Sequence, residues 1–292
     1  MEVISRAARL QAVATKLAEE QNPIGFVPTS GALHEGHLSL VREARRMADA
    51  VIVSIFVNPA QFAKSDDFER YPRDLARDAD LLTPIGVDYI FAPPVEDIYP
   101  KGFSTWVEVG EQSDKLEGAS RPGHFRGVAT VVTILLNTVR PDFAFFGQKD
   151  AQQALVIRRL VKDLAFDTEI VILPIVREDS GLAISSRNLY LNPDEQKSAT
   201  VLHKALVQAK QAFKEGERNA SRITELIRQT VESEPRARLD YVTIADAETL
   251  EKLDRVDDRP TLIALAAYVG KTRLIDNTIL NKVKKKDVAA PQ

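Results

Sequence analysis

Two of the four histidines in this 292-residue chain lie three residues apart in the stretch TSGALHEGH, residues 29–37. Gly31 permits a tight turn, and Gly36 lets another backbone or a phosphate come close. If a helix has begun, His34 and His37 share a face of it. A helix start offers unpaired N–H groups and the positive end of the dipole, which suits phosphate. Imidazole N–H groups beside it can bond phosphate oxygens that gain charge during attack at phosphorus. The spacing H-E-G-H is not the H-E-x-x-H of a zinc site, and the chain has no cysteine to complete one. A zinc site and a purely structural pair stay open as weaker readings.

Four other stretches bring polar groups together. NPAQF, 58–62, carries Asn58 and Gln61, amides that bind carboxylate and hydroxyl alike without adding charge. Its plainer reading is a turn set by Asn58-Pro59. GQKD, 147–150, offers Gly147 for close approach, Lys149 as a compact cation, and Asp150, whose plain role is a helix cap. ISSRN, 184–188, sets two hydroxyls beside a guanidinium in Ser185, Ser186 and Arg187, a set suited to phosphate oxygens. On its own that triplet reads as a solvated turn. SRPGHFRG, 120–127, holds Arg121, His124 and Arg126 on a hinged loop that can wall a site.

These motifs need elements to hold them. Short apolar runs at 23–28, 50–57, 87–93, 141–147 and 168–176 read as strands. Helical patterns cover 1–20, about 36–48, 67–86, 128–139 and 150–164. Alternation of this kind predicts an α/β fold, a Rossmann-like doubly wound parallel sheet. Ligands of such sheets sit at the carboxyl ends of the strands. The first, second, fourth and fifth of these strands are each followed by one of the motifs, so the motifs should converge there. After Asn192 the texture changes. Helical patterns at 193–216 and 220–234 and strands at 239–246 and 261–270 predict a smaller α+β domain over 177–283, closing over a site on 1–176. The lysine-rich tail, 284–292, is expected to fray.

Composition narrows the classes. A net charge of −3 gives no sign of a nucleic-acid or anionic-membrane partner. The start of the chain is charged throughout and does not read as a signal peptide. No run approaches a membrane span. The absence of cysteine excludes disulfides and thiolate chemistry, and fits a cytoplasmic protein.

The motif P-T-x-G-x-L-H-x-G-H-x-x-L-V resembles the HxGH signature of the nucleotidylyltransferase superfamily and, within it, the pantothenate synthetase family. VSIFVNPAQF, LEGASRPGHFRGV, FFGQKDAQQALVIRRLV, GLAISSRNLYL and TRLIDN match that family in the same order along nearly the whole chain. The resemblance implies an ATP-dependent ligase. ATP and pantoate would give pantoyl adenylate and pyrophosphate with Mg2+, and β-alanine would then displace AMP. It implies a homodimer. It assigns catalysis to His37 and His34, with Lys149, Ser185 and Arg187. Nucleotide contacts fall on Ser30, Gly31, Ala32, Leu33, His34, Glu35, Gly36 and His37, then on Gly147, Gln148, Lys149 and Asp150. Val176, Ile184, Ser185, Ser186 and Arg187 complete them. Gln61, Gln153 and Asn58 would meet pantoate or β-alanine, and Gln152 would face elsewhere. In the family His37 is the proton donor. On physical grounds phosphate stabilisation is preferred, because pyrophosphate bound to Mg2+ leaves without a proton. Ser30, Gln148, Ser180 and Ile184 depart from the family's usual residues, and Ser30 and Ile184 bear on ATP affinity. A related nucleotidylyltransferase and a non-catalytic nucleotide binder are the alternatives.

Overall fold

The computed structural model describes residues 1–62 and 68–281. The frayed tail expected at 284–292 lies outside them, as do the last two residues of the expected second domain. The chain divides into two compact units, Met1–Arg177 with Ile184–Ser186, and Glu178–Ala183 with Arg187 onward.

The first unit runs β1 (Glu2–Ile4), α1 (Ala7–Glu19), β2 (Ile24–Thr29), α2 (Glu35–Met47), β3 (Ala50–Ile55), α3 (Leu75–Leu82), β4 (Tyr89–Phe91) and α4 (Val95–Ile98). It continues with α5 (Glu117–Ser120), α6 (His124–Val139), β5 (Phe143–Gly147), α7 (Ala151–Asp163) and β6 (Glu169–Leu173). Its six strands are all parallel, in the order β1-β4-β3-β2-β5-β6. Strand residues alternate between two cores, as a period of two requires. Ile24, Phe26, Ile52, Ala144 and Phe146 pack with α1, α6 and α7 on one face. Val27, Val51, Val53 and Phe145 pack with α2 on the other. The sheet is therefore doubly wound, as the sequence pattern predicts.

Two local expectations change. The N-terminal segment is not one helix: Glu2–Ile4 pairs with Tyr89–Phe91 as an edge strand before α1 begins. Only three residues take part, too few for a periodic signal. The expected helix over 67–86 is shorter, because the Asp74 side chain caps Arg77 N–H and starts α3 at Leu75. Pro72, just upstream, disfavours helix in the residue before it.

Strand order reverses between β2 and β5, which lie side by side through Gly25–Phe143 and Phe26–Ala144. Such a switch point opens a crevice at the carboxyl ends of the strands. The histidine loop leaves β2 there and GQKD leaves β5.

The second unit carries α8 (Pro193–Lys214), α9 (Ala220–Glu232), β7 (Ala237–Asp246), β8 (Thr261–Val269) and β9 (Thr272–Leu280). The strands form an antiparallel sheet in the order β7-β8-β9, against which both helices bury apolar faces. The strand over TRLIDN is one that the sequence pattern does not predict. Among the described residues no helix is long and apolar enough to cross a membrane.

Candidate active site

The loop after β2 is built around a left-handed turn. Thr29 Oγ1 donates to Ser54 O (2.8 Å) and accepts from Gly31 N–H (3.2 Å), so one hydroxyl ties the end of β2 to β3 and starts the turn. Gly31 has φ +77°, and Ala32 follows at φ +50°, where a side chain is disfavoured. Leu33 then buries its side chain and donates its N–H to Asp78 Oδ1 of α3 (2.8 Å). His34 returns to extended backbone, and its carbonyl accepts from His37 N–H (2.8 Å) and Leu38 N–H (3.0 Å), opening α2.

The two imidazoles stack, with centroids 4.0 Å apart and planes 23° from parallel. A Cβ on Gly36 would lie 3.0 Å from the His34 ring, so the group that approaches this glycine is His34 itself. Both rings are half-buried, and neither Nδ1 has a hydrogen-bond partner among the described residues. That leaves Nε2 of each ring as the atom able to donate outward. Burial, helped by the nearby Lys149 charge, holds His34 down to about 4. Burial, then His34 and Lys149, holds His37 down to about 3. At neutral pH both rings are uncharged donors. Glu35 instead faces solvent and pairs with Arg42. Ser30 lines an apolar hollow with Ile55, Phe56 and Leu75.

GQKD bends from β5 through a single turn, 148–150, into α7. Asp150 occupies the cap position, but its side chain makes no capping hydrogen bond, contrary to its plain sequence role. Its carboxylate is half exposed and lies 3.7 Å from Lys149 Nζ. A Cβ at Gly147 would meet only Lys149 N, at 4.0 Å, so there is open space beside it. Gln148 is buried. Helix α2 likewise starts without a cap from its N-cap side chain, as do α1 and α6, whereas α3, α8 and α9 are capped by Asp74, Asn192 and Asn219. The two helices that start at the switch point therefore keep their first N–H groups free of side-chain caps.

The loop after β3 is built the opposite way. Asn58 is 1% exposed, and every hydrogen-bonding position of its amide is used inside the protein. Nδ2 donates to Gln61 Oε1 (3.2 Å) and Gly127 O (3.1 Å); Oδ1 accepts from Ala60 N–H (3.2 Å) and Tyr99 O–H (2.8 Å). Asn58, expected to meet substrate, spends its amide inside the protein and holds Gln61. The turn that Asn58-Pro59 promised is also there, as a 3-10 turn over Pro59–Gln61. With Oε1 taken by Asn58, the NH2 is the end of the Gln61 amide left to meet a ligand. The Gln61 carbonyl accepts from His124 Nδ1 (2.8 Å) and Arg121 Nη2 (3.3 Å). A carbonyl can only accept, so the His124 proton sits on Nδ1 and Nε2 faces Arg121 Nη1 (3.4 Å). Burial, then Arg121, holds His124 down to about 4. Arg126 turns away, lying over the Trp106 ring at 4.7 Å.

On α7, Gln152 is buried and bonds Glu117 N–H, Gln112 O and Lys115 O, while Gln153 is half-buried one position on. The loop after β6 doubles back as a tight hairpin: Ile184 N–H donates to Val176 O (3.0 Å) and Glu178 N–H to Leu182 O (2.9 Å). Ser186 Oγ lies 3.4 Å from Tyr71 O–H. Ser185 and Ser186 fall in the first unit and Arg187 in the second. No three His, Asp or Glu side chains gather as a bound metal would need among the described residues.

Sequence reasoning missed Asp78 and Tyr99. Each acts across more than 40 residues of chain (|i−j| 45 and 41), and no local spacing marks such a contact.

The chain matches the family model Pantoate-beta-alanine ligase over residues 2–279. It is 51% identical to the pantothenate synthetase of Pelotomaculum thermopropionicum over 283 residues, 97% of this chain and 100% of that one. The crystal structure of pantothenate synthetase from Thermus thermophilus superposes with a TM-score of 0.90 at 45% identity, covering 95% of this chain and 99% of that chain. Pantoate-beta-alanine ligase from Francisella tularensis, crystallised with beta-gamma ATP and beta-alanine, gives 0.79 at 38% identity, covering 96% and 97%. A match over nearly all of the chain, in sequence and in fold, means that it belongs to the pantoate-beta-alanine ligase family.

Proposed function

We propose that the chain joins pantoate to β-alanine through a pantoyl adenylate, with the loops after β2, β3 and β5 dividing the work. In the first step a pantoate carboxylate oxygen attacks the α-phosphorus of ATP, and the bond to the pyrophosphate oxygen breaks. In the second the β-alanine amine attacks the acyl carbon, loses a proton, and AMP leaves.

The observation that carries this reading is the stacked, uncharged His34–His37 pair at the uncapped start of α2. A neutral imidazole with a pKa near 3 or 4 is a poor proton donor at neutral pH, but it still offers an N–H to a phosphate oxygen. Aimed at charge that grows in the transition state, such donors lower the barrier directly. This favours phosphate stabilisation over proton transfer by His37. Lys149 adds a positive charge near both rings. The NH2 of Gln61, with its other end fixed by Asn58, donates to the pantoate oxygens and aligns the attacking carboxylate. Gln153 is assigned to pantoate. Gly31–Gly36 and Gly147–Asp150 take the nucleotide, and Val176, Ile184, Ser185, Ser186 and Arg187 take adenine and the leaving phosphates. These last assignments rest on the resemblance.

Magnesium belongs to the nucleotide substrate, since phosphate oxygens and water suit it better than a protein cage. When bound it draws charge from the leaving pyrophosphate. A cytoplasmic homodimer accompanies the reading on the resemblance alone, and light scattering at micromolar concentration tests the dimer.

The deciding experiment is an AMP assay with ATP, Mg2+, pantoate and β-alanine, each omitted in turn. AMP release that needs all four, with pyrophosphate release that needs only the first three, is expected. A nucleotide-linked product in place of AMP would overturn the reading in favour of a nucleotidylyltransferase.

A further inference from the structure

We infer that Asp78 is a positioning residue for the adenylation step: a buried carboxylate that holds the 31–33 turn and thereby fixes His34 and His37. The residue lies on α3, outside every motif of the sequence, and is 1% exposed. Its Oδ1 accepts from Leu33 N–H at 2.8 Å. That N–H directly follows the strained point of the loop, since Ala32 sits at φ +50°. A left-handed conformation at a residue with a side chain persists only when its surroundings over-determine it. Consecutive N–H groups in such a turn form a concavity that favours an anion. Asp78 supplies that anion from inside the protein. A Cβ at Gly31 would lie 3.1 Å from Asp78 Oδ2, so the carboxylate packs directly beneath the turn.

The surroundings of the carboxylate point the same way. Arg77 lies 3.7 Å from Oδ1 and is largely in solvent. Oδ2 is buried with no hydrogen-bond partner among the described residues. Burial raises the carboxyl above its usual range. A helix needs no carboxylate at this position, and one placed here for stability alone would be a poor choice. The group makes sense as a fastening for the loop one residue ahead of His34.

The test uses the full chain. Asp78→Ala removes the acceptor of Leu33 N–H, and Asp78→Asn keeps an acceptor there. A displacement of about 1 Å costs about 10²-fold in rate. Asp78→Ala is therefore expected to slow pyrophosphate release from ATP and pantoate by about 10²-fold, and to leave the conversion of supplied pantoyl adenylate by β-alanine within about twofold. Asp78→Asn is expected to recover most of the loss. Histidine titration by NMR, without substrate, gives a second readout. In Asp78→Ala the His34 and His37 rings should titrate closer to 6.5 than their parent values of about 4 and about 3, while His124 stays at about 4. Equal slowing of both half-reactions, or movement of all three histidines together, would show a general loss of structure and overturn the inference. So would a folded Asp78→Ala with unchanged adenylation. If Asp78→Ala does not fold, Asp78→Asn decides. Adenylation that weakens in step with a shift of the His34 and His37 rings, or stays intact with the rings unshifted, supports the fastening. Shifted rings with full adenylation, or slowed adenylation with unshifted rings, end it. The inference rests on the adenylate reading. Failure of that reading shows separately, as a parent protein that releases no pyrophosphate from ATP and pantoate.

Discussion

The loops after β2 and β3 leave adjacent strands of one sheet, yet they treat their polar atoms in opposite ways. The histidine loop leaves both Nδ1 atoms without partners among the described residues, starts its helix without a side-chain cap, and keeps its rings uncharged. The Gln61 loop closes every position of the Asn58 amide and braces the Gln61 carbonyl with His124 and Arg121. The difference follows from the ligands proposed for each. A triphosphate brings many acceptors and much charge, so open donors suffice and an internal partner would compete. A carboxylate and hydroxyl on a small acid must be held at one angle, so the amide that meets them needs its direction fixed in advance.

The largest expected effect breaks the open side. His37→Ala should fold normally and cut adenylation by about 10²–10³-fold, the usual cost of losing one such stabilising donor. The use of supplied pantoyl adenylate by β-alanine should be spared. Single-turnover pyrophosphate release measures it, and an unchanged rate would remove His37 from the reaction. Next comes the braced side. Asn58→Ala strands Gly127 O and Ala60 N–H and frees Gln61 to turn. It should cost about 1–3 kcal/mol of stability and raise the KM for pantoate about tenfold, the equivalent of ~1.4 kcal/mol. The KM for ATP should hold. An ATP effect as large as the pantoate effect would erase the contrast between the loops.

Acid separates the two loops by a third route. His34, His37 and His124 all have folded pKa values below the ordinary 6.5. Between pH 6.5 and about 4 the unfolded chain therefore binds more protons than the folded one. Stability is full above that window and falls as pH drops through it, by up to about 1.4 kcal/mol per pH unit for each such ring. Urea midpoints across this range should show the slope. Saturating ATP should flatten the share of His34 and His37, because bound phosphate favours their charged forms, and leave the share of His124. A slope that ATP does not change would place no phosphate at the pair.

The sequence carried the sheet and the chemistry unequally. Strand runs rich in apolar residues locate β2 to β6, and the motifs at their ends mark the crevice, because both signals are local. The three-residue β1 offers no period to read. Strand β9 is hidden because Arg273, Asp276 and Asn277 break up the apolar run. Asp150 has the residue type and place of a helix cap yet makes no cap bond. Type and place fix what a side chain can do; the neighbours decide whether it does. Asn58 looks like a ligand in the sequence because its neighbours there are Pro59 and Gln61. Its partners in space include Tyr99 and Gly127, which no spacing near residue 58 reveals.

Tyr99 offers the smallest and most discriminating change. Its hydroxyl donates to Asn58 Oδ1, and burial pushes its pKa up to about 12, so it remains a donor throughout any assay range. Tyr99→Phe removes that donor but leaves Oδ1 with Ala60 N–H, so no acceptor is emptied. The cost in stability should be about 0.5–1.5 kcal/mol. If the brace matters for aiming Gln61, the pantoate KM should rise about threefold, what ~0.6 kcal/mol gives. Turnover at saturation and the KM for ATP should not move. A loss of stability with no change in pantoate KM would mean that Asn58 and Gly127 hold Gln61 without help, and that the brace stops at the amide.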